Sequence, residues 1–171
     1  KNHGGSCILV TSALDVTTSL LHTSKLSQLS DGTSRSQGRI TVGEEVVFQG
    51  ENRVLVDSGT SFTFGPKVEV VAINKRLTQE AAHHGVYIVD CRRILNFPLV
   101  KFSNGDSTLT LSPREYIFRR GQLCFSSFAY RVGITESFWR FGAALNRMFY
   151  TVYDKEEERV GFARSKIQQD P

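Results

Sequence analysis

The run Val54-Leu55-Val56-Asp57-Ser58-Gly59-Thr60-Ser61 constrains the fold of this chain more than any other stretch. Its apolar, mostly β-branched start predicts a strand, and the strand ends abruptly on an acid. A carboxylate at a buried strand end is costly unless it is paired or hydrogen-bonded. The residues after it supply short hydroxyl donors and, at Gly59, a backbone that can approach the carboxylate closely. Two arrangements meet that requirement: an Asx turn that caps a strand, and a loop that holds a catalytic acid.

The rest of the chain reads as short strands broken by turns. Arg39 to Gly43 and Glu45 to Phe48 flank a Gly-Glu turn and predict a hairpin, with Arg53 to Val56 as a further β-rich run. Val86 to Val89, Leu99 to Phe102, Thr108 to Leu111 and Tyr116 to Phe118 are the next strands, separated by Asn104-Gly105-Asp106 and Ser112-Pro113. Phe149 to Tyr153 and Val160 to Ala163 predict a second hairpin, whose charged tip, Lys155 to Arg159, reads as solvated. A helix is expected over Lys67 to His83, where Val68, Val71, Ala72, Lys75 and Leu77 recur near the helical period behind Pro66. Phe138 to Met148 is open between a short helix and coil. Thr11 to Gly38 is rich in Ser and Thr, with Ser30 to Ser36 reading as an exposed loop. Residues 1–38 are therefore a leading segment and residues 39–171 a lobe.

Composition sets the outer bounds. The 171 residues, 40% hydrophobic and 11% aromatic, suit one domain with a core of its own. A net charge of +4, without a block of Lys and Arg, gives only a weak argument for nucleic acid as a partner. No apolar run approaches the roughly 18 residues that span a bilayer. The start, KNHGGSCILV, lacks the charged-then-apolar pattern of a signal peptide, and opening on Lys rather than Met reads as a processed or trimmed piece. Cys7, Cys91 and Cys124 are too few and too dispersed for a zinc knuckle, so neither a metal nor a cofactor is expected. Their odd number allows three thiols, or one bridge with a cysteine to spare.

In order along the chain, the motifs resemble the C-terminal lobe of the pepsin-like aspartic proteases. The apolar pair and Asp57-Ser58-Gly59-Thr60 are similar to that family's second active-site loop. Phe64-Gly65-Pro66 and the helix after it resemble the Gly-Pro and helix that succeed that loop in the family. Cys91, Ile94, Phe97-Pro98 and Val100-Lys101-Phe102 come next, then Leu111-Ser112-Pro113, Tyr116-Ile117 and Cys124. Phe141-Gly142, Arg147, Tyr150 to Asp154 and Val160 to Ala163 complete the likeness, which runs from about Arg39 to Ala163.

The resemblance implies a mainly β fold, one lobe of the bilobal acid protease architecture, with short helices. In it the Phe141-Gly142 strand threads a psi-shaped motif beside Asp57. It also implies a chemistry: two aspartates, one per lobe, share a proton because like charges about 3 Å apart cannot both ionise. One activates water for attack on the peptide carbonyl while the other protonates or stabilises its oxygen. Asp57 would be one of the pair. Ser58 would bond across to the other lobe, Gly59 would give its N–H to the carboxylate, Thr60 would orient the outer carboxylate oxygen, and Ser61 would touch substrate backbone. Cys91 and Cys124 would form the lobe's disulfide, leaving Cys7 as a free thiol or a tether to a companion chain. An oxidising secretory route, ending outside the cell or in a lysosomal or vacuolar compartment, goes with that bridge.

No second Asp-Thr/Ser-Gly comes after an apolar strand in this chain; Ser30-Asp31-Gly32-Thr33 has the wrong order. The implied partner is an N-terminal lobe or companion chain carrying the other aspartate, and the substrate is polypeptide. The alternatives are an inactive pepsin-like binding module and a homodimer in which two copies of Asp57 meet. Arg140 and Ala143 depart from the family pattern, which has an apolar residue and commonly an Asp there. Arg140 would either snorkel to the surface or line the cleft and select acidic side chains. His83 and His84 are expected as an exposed pair at the helix C-terminus.

Overall fold

The computed structural model describes residues 22–25, 34–104, 107–154 and 159–164. Strands β1 (His22–Lys25), β2 (Ser34–Val42), β3 (Glu45–Val56) and β4 (Thr63–Phe64) precede helix α1 (Lys67–Asn74). Then come β5 (Ile88–Val89), a 3-10 turn over Cys91–Asn96, β6 (Val100–Asn104), β7 (Ser107–Leu111), the one-turn α2 (Pro113–Tyr116), β8 (Ile117–Arg120), β9 (Leu123–Ser126) and β10 (Phe128–Ala129). Strand β11 (Trp139–Phe141), the one-turn α3 (Ala143–Asn146), β12 (Phe149–Asp154) and β13 (Arg159–Arg164) close the chain. The architecture is mainly β with short helices. Among the described residues no helix is long and apolar enough to cross a membrane.

A seven-stranded sheet in the order β10-β4-β11-β3-β2-β6-β7 carries the molecule, flanked by three-stranded sheets β1-β13-β12 and β5-β9-β8. Strands β2 and β3 form a long antiparallel hairpin from Ser34↔Val54 to Val42↔Glu45, closed at Gly43, whose φ of 61° favours glycine. Strand β11 inserts between β3 and β4, parallel to β3 (Trp139↔Val54, Phe141↔Val56) and antiparallel to β4 (Arg140↔Phe64). Since β3 and β4 are consecutive in the chain, β11 is the central stroke of a psi motif.

Period-two alternation sends Val100 and Phe102 of β6 inward, and likewise Trp139 and Phe141 of β11. Their rings meet edge to face, with Phe102 centred 5.2 Å from Trp139 and 5.3 Å from Phe141. Aromatic pairs of this kind contribute about 0.5–1.5 kcal/mol each beyond burial alone. Gly65 is required beneath this cluster: a Cβ there would lie 2.6 Å from the Trp139 ring.

Several elements differ from what the pattern predicts. Ser34 to Ser36 of the expected loop belong, with Gln37 and Gly38, to β2, because β3 extends through Gly50 and pairs with them. That strand runs across the 38/39 boundary drawn from composition. The Ser30 to Thr33 part of the expected loop lies outside the described residues, as do Cys7 and Lys155 to Glu158 of the hairpin tip. Helix α1 stops at Asn74 instead of continuing to His83. The buried Asn74 amide donates to the carbonyls of Val70 and Phe128, and Arg76 and Leu77 then bond three residues back, tightening the chain out of the helix. His83 and His84 therefore sit well beyond the helix, in a turn. His84 (φ 51°) and Gly85 (φ 83°) take left-handed conformations there, and His83 pairs with Val86. Tyr116 ends α2 rather than starting a strand, since Ser112 N–H donates to the Glu115 carboxylate at 2.6 Å and Pro113 opens the turn. Phe138 to Met148 divides into β11 and α3.

Cys91 and Cys124, 33 residues apart, are joined in a disulfide that ties the 3-10 turn to β9. Closing a loop of this length stabilises by roughly 3–4 kcal/mol in the chain-entropy model. Replacing both cysteines with Ala is expected to cost stability of that order, read from the denaturation midpoint. Behind the sheet, Trp139 Nε1 donates to Glu69 of α1 at 2.6 Å. Burial raises the Glu69 carboxyl above its ordinary value, more than this hydrogen bond lowers it. The folded chain thus keeps a proton that the unfolded chain loses, so Glu69 supports the fold at acidic pH and that support fades as pH rises through its raised value. Glu69→Gln should flatten the decline in urea midpoint from about pH 4 upward; an unchanged slope would count against this origin.

Candidate active site

Asp57 lies just past the end of β3, where its N–H donates to the Phe141 carbonyl at 3.0 Å and extends the ladder to β11 by one rung. The chain then turns at once. Thr60 N–H and the Thr60 hydroxyl both donate to the Asp57 carbonyl, at 3.3 and 3.0 Å. Gly59 N–H donates to Asp57 Oδ1 at 3.0 Å, and an added Cβ on Gly59 would stand 3.2 Å from that oxygen. The carboxylate is thus oriented by backbone yet left 30% exposed. The hydroxyl of Thr60 engages the main-chain carbonyl of Asp57, not its carboxylate. Ser58 and Ser61 are exposed at the same loop.

What holds this loop in place is α3. Ala143 N–H donates to Thr60 O at 2.6 Å and Ala144 N–H to Ser61 O at 2.9 Å. The approach is so close that a Cβ on Gly142 would fall 2.1 Å from Phe62 O and 2.6 Å from Thr60 O. Asn146 Nδ2 adds a bond to Phe141 O at 3.2 Å.

The other oxygen of Asp57 faces a cation: Arg140 Nη1 stands 3.4 Å from Oδ2. Arg140 lies opposite Leu55 in the register, while its neighbours Trp139 and Phe141 face the core, so it shares the face of Leu55 and Asp57. Its guanidinium lies 4.8 Å from the Phe138 ring centroid, and that of Arg53 lies 5.5 Å from the same ring. Arg140 stood out in the sequence as a departure from an apolar position. Arg53 and Phe138 did not, because only the parallel pairing of β11 with β3 brings the Phe138 ring beside both Arg53 and Arg140. Cys91 and Cys124 lie in the separate β5-β9-β8 region and hold the lobe rather than the site. Among the described residues no three His, Cys, Asp or Glu side chains gather to hold a metal ion.

Comparisons with known proteins give the family and the fold. The family model described as eukaryotic aspartyl protease matches residues 3–165. The chain belongs to that family. It is 32% identical over 137 residues to cathepsin D of Chionodraco hamatus, covering 74% of this chain and 34% of that protein. It is 31% identical over 121 residues to renin of Rattus norvegicus, covering 66% of this chain and 29% of the relative. The chain therefore spans about a third of the length of the curated relatives it matches. Its fold is similar to that of an aspartic proteinase from Irpex lacteus, with a TM-score of 0.71 at 17% identity over 87% of this chain and 48% of the other. A pepsin-like lobe accounts for both the partial coverage and the mainly β architecture.

Within such a lobe Gly142 is the tightest constraint on the acid's position. Gly142→Ala is expected to destabilise by about 3 kcal/mol, the cost of a steric conflict with backbone rather than with a yielding side chain. Thermal unfolding of the variant measures it.

Proposed function

We propose that this chain is one lobe of an aspartic endopeptidase, supplying Asp57 as one of two aspartates that hydrolyse peptide bonds with an activated water. The second aspartate comes from an N-terminal lobe or a companion chain, making the active unit two-lobed or heterodimeric. Membership of the aspartyl protease family supports this reading. The observation that carries it is the partly exposed Asp57 carboxylate, held by Gly59 N–H at the end of a strand beside the threaded β11. Water placed between Asp57 and the partner acid would give a proton to the ionised carboxylate of the pair as its oxygen bonds to the amide carbon, while the shared proton passes to the carbonyl oxygen. A carboxyl of the pair would then protonate the nitrogen as the C–N bond breaks and take back a hydroxyl proton from the diol. Ser58 and Ser61, exposed beside the acid, are the loop residues available to the partner lobe and to substrate backbone. In this role Gly59 and Thr60 orient the loop. In this reading residues 39–171 form the catalytic lobe, to which Ser34 to Gly38 of β2 and strand β1 also belong through their pairing with β3 and β13. The disulfide is consistent with maturation along the secretory route, ending in secretion or an acidic lysosomal or vacuolar compartment.

One observation favours a second reading, a pepsin-like binding module without catalysis: Arg140 already gives Asp57 a counter-charge inside the lobe. The two readings separate in the assembled protein. On the protease reading, cleavage of an extended apolar peptide at acidic pH falls by at least about 10³-fold in Asp57→Asn, with the unfolding midpoint retained. Cleavage that survives the substitution would sink the assignment, and peptide binding without any cleavage by the unaltered protein would favour the binding module.

A further inference from the structure

Arg140 has donors to spare. A guanidinium carries five N–H groups, and the hydrogen bond Arg140 makes to Asp57 is a single long contact, Nη1 to Oδ2 at 3.4 Å. Its Nε is buried without an acceptor. A surface arginine that merely covers apolar area sends its tip out to water. The Arg140 side chain is instead only 22% exposed, with its tip against Asp57 and its guanidinium beside Phe138. Arg53 approaches the same ring, so a second cation stands on this face.

Resting on the reading of Asp57 as a catalytic acid, we infer that Arg140 makes this site selective for peptides carrying Asp or Glu next to the scissile bond. A carbonyl attacked by a water on Asp57 must lie within one water's reach of that carboxylate. An extended peptide places successive residues about 3.3–3.4 Å apart. The side chains flanking the bond therefore fall within reach of a guanidinium that touches Asp57 itself. The Nη hydrogens not spent on Asp57 can take a substrate carboxylate, a charge-assisted contact that a neutral amide or an alkyl group does not match. Phe138 holds the guanidinium in place through the face of its ring.

The experiment compares otherwise identical peptides with Glu, Gln or Leu on either side of the cleaved bond, using the assembled protein. The readout is the Glu-to-Gln ratio of kcat/KM. Because Arg140 also touches Asp57, substituting it will change absolute rates, but the ratio cancels any effect common to both peptides. The unaltered protein should prefer Glu over Gln at one flanking position by about tenfold. Arg140→Leu should bring the ratio near one, and Arg140→Lys should retain part of it. The same ratio is to be read as binding affinity with reduced-amide peptides, which need no cleavage. Cleavage with no Glu preference, or a preference that survives Arg140→Leu, overturns the inference while leaving the protease reading intact. Absence of cleavage together with an Arg140-dependent affinity ratio overturns the protease reading and keeps the carboxylate contact. Absence of both overturns the inference as well.

Discussion

The structure depends on one close approach, that of Gly142 to the carbonyls of Thr60 and Phe62. Because Gly142 has no side chain, the start of α3 can lie against the loop after Asp57, and two α3 N–H groups can bond its carbonyls. The loop would otherwise be a short exposed turn whose carbonyls bond only to water. Strapped in this way, it presents the carboxylate from rigid backbone. Gly142 directly follows β11, which fills the gap between β3 and β4, so closure of the sheet and placement of the acid share one set of contacts.

Burial and charge divide cleanly across β11. Trp139 and Phe141 join Phe102 in the core, while Arg140 between them faces the other way toward Asp57. A strand with period-two alternation thus serves two purposes, with its inner residues anchoring the sheet and its outer residue setting the charge beside the acid. Glu69 extends the coupling from behind, accepting from Trp139. The disulfide works elsewhere. It secures the 3-10 turn and β9 far along the chain from Asp57, and contributes to the lobe's stability rather than to its chemistry.

The β character and the acid at the strand end were legible in the sequence because both are local: β-branched runs, turn dipeptides and the Asp57 to Thr60 motif carry their own physics. Helix α1 was overextended for an equally physical reason. Apolar spacing past Asn74 continues the helical period, yet Asn74 trades that continuation for a bond to Phe128, a partner distant in the chain. Ser34 to Ser36 look like a loop in composition and become strand because β3 is long enough to pair with them.

By itself, then, the sequence determined that this chain is built of strands and that Asp57 follows one of them in a Gly-containing turn, whereas the joining of Glu45–Phe48 and Arg53–Val56 into one long strand came from pairing with β2. The sequence also marked Arg140 as out of pattern. Tertiary structure alone decided that Arg140 stands 3.4 Å from Asp57 rather than reaching out to solvent. The reason is the parallel pairing of β11 with β3, a contact between segments far apart in the chain. No local propensity encodes it, and it arises only when the aromatic core and the bare backbone of Gly142 bring those segments together.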